Sequence, residues 1–223
     1  IFYPRIANAG DETIADMVPA RTTYFDAIIA RAIKDVDQFV LLGAGYDTRC
    51  YGALESSGVT FFEVDQAAVQ DHKRMMIDVA GIRCEQVNFV PIDFNKDNLF
   101  SRLTEAGLDT SRKTLFLWEG VSLYLSPEQV TSTLEIVKQK AAASSIIVAD
   151  LYAERLIKSL GKVSANQKIL EMTEETLDFG LPFASDWRAV LSEFIAARSL
   201  KQGETHFLGE NNKAGPYAAV VEM

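Results

Sequence analysis

Phe39-Val40-Leu41-Leu42-Gly43-Ala44-Gly45-Tyr46-Asp47-Thr48-Arg49 decides the fold. The short apolar run Phe39–Leu42 reads as a buried parallel strand. It stops at Gly43-Ala44-Gly45, where glycines let the backbone turn tightly and let a ligand approach without meeting a Cβ. About twenty residues further on, Phe61-Phe62-Glu63-Val64-Asp65 is a second apolar run that ends in acid. Strand, glycine turn, helix and a strand ending in a carboxylate form a unit that holds a nucleoside, the carboxylate on the ribose hydroxyls.

Outward from this unit, the alternation of strand and helix continues. Ile1–Pro19 is expected to be mostly irregular with one short helix, and Ala20–Val36 to be an amphipathic helix from the spacing of Tyr24, Phe25, Ile28, Ile29, Ala32 and Ile33. A helix near Thr48–Ser56 stops at Gly58, and strand Thr60–Val64 leads into a helix over Ala67–Val79. Strand Val87–Pro91, a helix near Asn98–Ala106 and strand Thr114–Trp118 follow. Ser126-Pro127-Glu128-Gln129 supplies an N-cap, a proline at the first helical position and an acid in the first turn of a helix running to about Ala142. A fifth strand covers Ser145–Ala149 and ends at Asp150.

After Asp150 the pattern changes. Tyr152–Leu177 reads as helical with a break at Gly161, Leu181–Ser185 as a loop and Asp186–Phe194 as a helix. Ala197–Gln202 and Tyr217–Glu222 read as two last strands around Gly209–Pro216, an antiparallel hairpin at the sheet edge. The expectation is an α/β, doubly wound, mostly parallel seven-stranded sheet with an antiparallel C-terminal hairpin. It forms one domain over residues 1–223, with a helical insertion on the substrate side at about 152–195.

Composition narrows the partners. The 223 residues are 48% hydrophobic and 24% charged, ordinary for a globular protein, with 22 basic and 31 acidic side chains giving a net charge of −9. That balance argues against a nucleic-acid partner, because neutralising phosphates needs a clustered basic surface; Lys138 and Lys140 read as a solvated helix face. No apolar run approaches the roughly 20 residues that span a bilayer. Cys50 and Cys84 lack metal-ligand or redox spacing and read as free thiols, and no metal is expected. The sequence as given shows no signal-peptide pattern at its start, and a cytoplasmic protein is the default expectation.

The turn and the acids narrow which nucleoside binds. A dinucleotide site has a third small residue where Thr48 stands, and Asp47 would repel phosphate at a helix start. Asp65, Asp93, Glu119 and Asp150 fall at or just past the ends of successive strands, the edge where open α/β sheets bind ligands. Carboxylates there suit a ribose, an adenine amino group and a cationic methionine better than a diphosphate. S-adenosylmethionine is the expected cofactor.

With these residues in view, the chain resembles the leucine carboxyl methyltransferase family. The likeness is carried by Leu41-Leu42-Gly43-Ala44-Gly45-Tyr46-Asp47-Thr48-Arg49, by Phe62-Glu63-Val64-Asp65, and by Trp118-Glu119-Gly120-Val121-Ser122-Leu123-Tyr124-Leu125-Ser126-Pro127-Glu128-Gln129. The resemblance runs from about Arg21 to Asp150. It implies a class I, Rossmann-like, S-adenosylmethionine-dependent O-methyltransferase akin to the protein phosphatase methyltransferases and the TcmP-like polyketide enzymes. It further implies that Gly43 and Gly45 lie under the methionine part of the cofactor and that Asp65 takes the ribose. Asp93 with the backbone of Phe94 would contact adenine, Glu119 would stand near the methionine amino group, and Arg21 would pair with the cofactor's carboxylate. Gln66-Ala67-Ala68 stands where the family often has a proline, which changes the helix start.

The expected reaction is methyl transfer to an oxygen, a carboxylate of a small molecule or of a peptide or protein C-terminus. Such an acceptor is ionised at neutral pH and needs no general base, so no catalytic residue is named. Tyr124 is the candidate for lining the acceptor pocket, ahead of Tyr152, Trp187 and Arg188; His72 reads as structural and His206 as reaching the site only if its loop folds over it. Two rivals remain: a nicotinamide-dependent oxidoreductase on the same sheet, and a non-catalytic protein that keeps the cofactor site.

Overall fold

A computed structural model describes residues 12–52, 54, 57–93, 96–173, 175–210 and 214–223. The first described element is helix α1 (Glu12–Ala32), followed by a 3-10 turn at Ile33–Asp35. Strand β1 (Gln38–Leu42), strand β2 (Thr60–Asp65), helix α2 (Ala67–Val79) and strand β3 (Val87–Pro91) come next. Helix α3 (Leu99–Glu105), strand β4 (Thr114–Trp118), helix α4 (Pro127–Lys140) and strand β5 (Ile146–Tyr152) complete the alternation. Helices α5 (Glu154–Leu160), α6 (Ser164–Thr173) and α7 (Trp187–Ala196) precede strands β6 (Thr205–Leu208) and β7 (Ala218–Glu222).

These strands make one seven-stranded sheet in the order β3-β2-β1-β4-β5-β7-β6. β1 pairs in parallel with β2 and β4, β2 pairs in parallel with β3, and β6 pairs antiparallel with β7. The fold is therefore the expected one. The order reverses at β1, where the chain leaves for β2 on one side and β4 takes the other, the topological switch point at which such sheets bind ligands.

The chain divides into two compact units. One comprises Ala30–Val121 and Thr133–Val148. All five residues of β1 and of β4 are buried, as strands covered on both faces must be. α2 buries Gln70, Lys73 and Ile77, one helical face with two polar members. Those two have partners: Gln70 Nε2 donates to the Glu63 and Val90 carbonyls at 2.6 and 3.2 Å, and Lys73 Nζ lies 2.7 Å from Glu63 Oε2. Glu63 is fully buried, and burial raises its pKa against the lowering effect of Lys73.

The other unit comprises the chain up to Ile29, Ser122–Ser132 and Ala149–Met223. Here Ser126 and Gln129 form a reciprocal capping box at the start of α4: the Gln129 amide donates to Ser126 Oγ at 3.2 Å and the Ser126 amide to Gln129 Oε1 at 2.8 Å. Arg155 on α5 donates to the Pro216 carbonyl at 2.9 Å and to the Gly215 carbonyl, and its guanidinium covers the Tyr217 ring.

Several boundaries differ from expectation, among them the end of the helical stretch after β5, which stops at Thr173 and not at Leu177. α1 starts at Glu12 and continues through Pro19, because Met17 extends the buried face of Phe25, Ile28 and Ile29 by two turns. Of the helix expected over Thr48–Ser56, the structure describes only a 3-10 turn at Arg49–Tyr51; residues 53, 55 and 56 lie outside the described residues. β5 runs on to Tyr152, so Asp150 sits inside a strand and not in a loop after it. The strand expected over Ala197–Gln202 instead begins with the end of α7, where Ser199 adopts a left-handed φ of 56° and the Leu200 amide returns to the Ile195 carbonyl.

Candidate functional site

The Gly43–Gly45 turn is built by three amide donors. Gly43 and Ala44 both donate to the Val64 carbonyl, at 2.8 and 2.9 Å, tying the turn to the end of β2. The Gly45 amide donates to Asp65 Oδ2 at 2.6 Å, while Asp65 Oδ1 accepts from the Gln66 amide at 2.7 Å. Both oxygens of Asp65 are thus oriented by backbone donors.

The two glycines do different things. Gly43 has φ 71°, and a Cβ there would stand 2.4 Å from Val121 Cγ2, so conformation and space both require glycine. Gly45 has φ 44°, and a Cβ there would meet nothing within 4 Å. That open space beside a fixed carboxylate is what a nucleoside needs to lie against the backbone.

Beyond the turn, Asp47 and Glu119 are joined by Arg49. Arg49 Nη1 lies 2.5 Å from Asp47 Oδ2 and 2.7 Å from Glu119 Oε2, and the Arg49 amide donates to Asp47 Oδ1 at 2.7 Å. The side chains of Arg49, Asp47 and Glu119 are 18%, 19% and 13% exposed, dry enough for the pairing to hold against solvent. Asp47 is therefore not the bare carboxylate expected to repel a phosphate: Arg49 pairs with it and offsets part of the negative charge of the two acids. A different observation now tells against a diphosphate: the turn opens onto a three-residue 3-10 segment, which offers little of the dipole of a helix N-terminus.

Asp93, just past β3, is on the surface. Its Oδ2 pairs with Lys96 Nζ at 2.7 Å and its amide donates to Asp97 Oδ2 at 2.8 Å, so it closes a local turn. Phe94 lies outside the described residues. Tyr46 is exposed and its hydroxyl stands 2.7 Å from His72 Nδ1, which gives His72 a local partner.

In the other unit, Arg21 lies on the buried face of α1, four residues from both Met17 and Phe25. Its Nη1 donates to the Tyr152 hydroxyl at 2.7 Å and stands 3.4 Å from Asp150 Oδ2; Tyr152 in turn donates to Asp150 Oδ2 at 2.6 Å. Asp150 is fully buried and Tyr152 nearly so. Successive same-face positions of β5 therefore present a carboxylate and a phenol that together fix a guanidinium.

Tyr124 follows β4 in a 3-10 turn and feels the charges of Glu175, Arg21 and Asp150. Burial first, then Glu175, raises its pKa, so the hydroxyl is protonated at neutral pH and acts as a hydrogen-bond donor. Burial also holds Tyr152 well above the ordinary tyrosine range. His206 stacks on Tyr24 with ring centroids 4.0 Å apart and pairs with Glu204 at 2.7 Å, while Arg188 covers the Trp187 and Phe207 rings and pairs with Glu210.

The structure thus groups Gly43, Gly45, Asp65 and Glu119 in one unit, and Arg21 with Asp150 and Tyr152 in the other. Two residues stand out that sequence reasoning left without a role or ranked low. Arg49 lay in plain view at the end of the glycine motif, and Tyr152 two residues after Asp150 was the strand-period signal.

Among the described residues, no group of three or more His, Cys, Asp or Glu side chains is placed to hold a metal, and no helix is long and apolar enough to cross a membrane. Cys50 and Cys84 are free thiols.

A sheet of this order with a glycine turn and acid at its switch point defines the class I, Rossmann-like methyltransferase fold. The family model of leucine carboxyl methyltransferase matches residues 5–138, and the chain belongs to that family. A Mycobacteroides abscessus protein provisionally named an S-adenosyl-L-methionine-dependent methyltransferase is 31% identical over 193 residues, 82% of this chain and 61% of that protein. A similarly named Mycobacterium avium protein is 34% identical over 146 residues, 65% of this chain and 48% of that protein. The chain therefore spans about half to three fifths of the length of the curated relatives it matches. Among solved structures, the magnesium protoporphyrin IX methyltransferase of Synechocystis with bound S-adenosylhomocysteine is similar with a TM-score of 0.56 at 11% identity, covering 94% of this chain and 85% of that one. At that identity the likeness concerns the fold.

Proposed function

We propose that the chain is an S-adenosylmethionine-dependent O-methyltransferase acting on a carboxylate of a small molecule or of a peptide or protein C-terminus. The observation that carries this reading is the Asp65 carboxylate, fixed by the Gly45 and Gln66 amides beside the open space at Gly45. Relatives named for this cofactor and for methyl transfer support its cofactor half.

In this reading Asp65 accepts from the ribose hydroxyls, Gly43 and Gly45 underlie the methionine portion, and Glu119 takes the ammonium. Asp93 contacts adenine, for which Lys96 must release or share the carboxylate. Arg21, oriented by Tyr152 and Asp150, presents a guanidinium suited to the cofactor's carboxylate through charge-assisted hydrogen bonds. When bound, S-adenosylmethionine supplies an electrophilic methyl group on a sulfonium. The protein's part is to align an acceptor oxygen with that group and to exclude water. Tyr124, a donor at neutral pH, orients the acceptor carboxylate through its second oxygen. The helical stretch over about 152–195 serves the substrate within a single domain, and the free thiols suit a cytoplasmic setting.

Transfer of tritium from methyl-labelled S-adenosylmethionine to a panel of small carboxylic acids and C-terminal peptides tests this. Label that becomes base-labile, as a methyl ester must, is the expected result. Binding of the cofactor with no transfer across the panel would favour the non-catalytic alternative.

A further inference from the structure

The glycine motif ends in Arg49, a cation between two acids. Arg49 does not point away into solvent: its Nη1 lies between Asp47 Oδ2 at 2.5 Å and Glu119 Oε2 at 2.7 Å. Asp47 is itself fixed, because its Oδ1 accepts from the Arg49 amide at 2.7 Å, two residues away. The Asp47–Arg49 pair is therefore a self-contained hook whose cation lands on the carboxylate at the end of β4. All three side chains are less than a fifth exposed, where charge-assisted hydrogen bonds are not dissolved by water.

We infer that Arg49 is a positioning residue for the cofactor's amino-acid end: it holds the Glu119 carboxylate in one orientation, ready for an ammonium group. The inference rests on the cofactor reading of Glu119 proposed above. Without Arg49, Glu119 loses a charge-assisted hydrogen bond and stays near a second carboxylate, Asp47, that repels it. Two acids on one cation also leave this corner with a net negative charge, which suits the ammonium and the sulfonium of S-adenosylmethionine. Asp47 then has a purpose that its place beside a nucleotide turn does not explain. It supplies the second anchor that stops the guanidinium from swinging away with Glu119. One nitrogen, Nη1, bridges both acids, so a lysine ammonium reproduces the bridge in part, its flexible stem fixing the direction less well than the planar guanidinium.

The test is a double-mutant cycle read by calorimetric titration of S-adenosylhomocysteine, with thermal unfolding of each variant recorded alongside. Arg49→Gln and Glu119→Gln are each expected to weaken binding about tenfold or more, about 1.4 kcal/mol. The double variant is expected to bind no worse than Glu119→Gln alone, since Arg49 acts only through that side chain. Arg49→Lys should recover part of the loss. Affinity for 5′-methylthioadenosine, which keeps the adenosine and lacks the amino-acid end, should change less than twofold in Arg49→Gln. Additive losses in the double variant, or an equal fall in affinity for both ligands, overturn the inference and assign Arg49 a purely structural role. Unchanged S-adenosylhomocysteine affinity in Arg49→Gln, with a loss in Glu119→Gln, also overturns it while leaving the cofactor reading intact. No loss in Glu119→Gln, or no binding by the unaltered protein, instead sinks the cofactor reading on which it stands.

Discussion

Asp65 Oδ2 accepts the Gly45 amide at 2.6 Å, so the acid that ends β2 caps the turn that ends β1. Two motifs twenty residues apart in the chain are one object in space. Removing the carboxylate removes both the ribose acceptor and the cap. Asp65→Ala is expected to weaken S-adenosylhomocysteine binding by about tenfold to a hundredfold, about 1.4 to 2.7 kcal/mol, measured by calorimetry. Asp65→Asn, which keeps one carbonyl oxygen for Gly45, should lose less.

Gly43 faces Val121 with no room for a Cβ. Gly43→Ala is expected to lower stability by about 1–3 kcal/mol through overpacking and a left-handed backbone unsuited to alanine. Adding Val121→Ala relieves the contact and should restore part of the loss, and the left-handed φ keeps the rest. Denaturant unfolding of the single and double variants measures both contributions.

Tyr152 links Arg21 to a fully buried Asp150. Tyr152→Phe removes one donor from that carboxylate and one acceptor from the guanidinium. The expected cost is about 1–3 kcal/mol in thermal or denaturant unfolding. In the proposed cofactor role Arg21 also loses its fixed direction, so S-adenosylhomocysteine affinity should fall together with stability in this variant.

Lys73 is the cationic partner of buried Glu63, 2.7 Å away. Lys73→Met strands the carboxylate and is expected to cost about 3–5 kcal/mol near neutral pH. The sign with pH follows from burial raising the Glu63 pKa above its unfolded value. The folded state then holds a proton that the unfolded state has released, so this group's contribution is greatest in acid and is lost as pH rises through the folded pKa. Without Lys73 that pKa rises further. The deficit of the variant in melting temperature should therefore be smallest near pH 5 and grow toward pH 8.

How far the sequence reached follows from which signals are local. β1, β3 and β4 fall within a residue of expectation because each is a short apolar run closed by polar residues. α2 agrees at both ends, and Ser126 with Gln129 makes the cap its spacing announces. Pro19 misled because a proline usually ends a helix, whereas Met17 carries the buried face of α1 past it. Asp150 misled because an acid suggests a loop, and only the partner pair Tyr152 and Arg21 makes it tolerable inside a strand. Glu63 between Phe62 and Val64 is the same kind of case, rescued by Lys73 from the next helix. Partners supplied by distant elements leave no local mark, which is why Arg49's hold on Glu119 was not legible either.

The most direct measurement of the central claim is a crystal structure of the protein with S-adenosylhomocysteine bound. The account predicts ribose hydroxyls within hydrogen-bond distance of Asp65 and the homocysteine end against Gly43, Gly45 and Glu119. A nucleoside bound with its ribose away from Asp65, or a crystal that takes up a nicotinamide dinucleotide at the Gly43–Gly45 turn in its place, would contradict it.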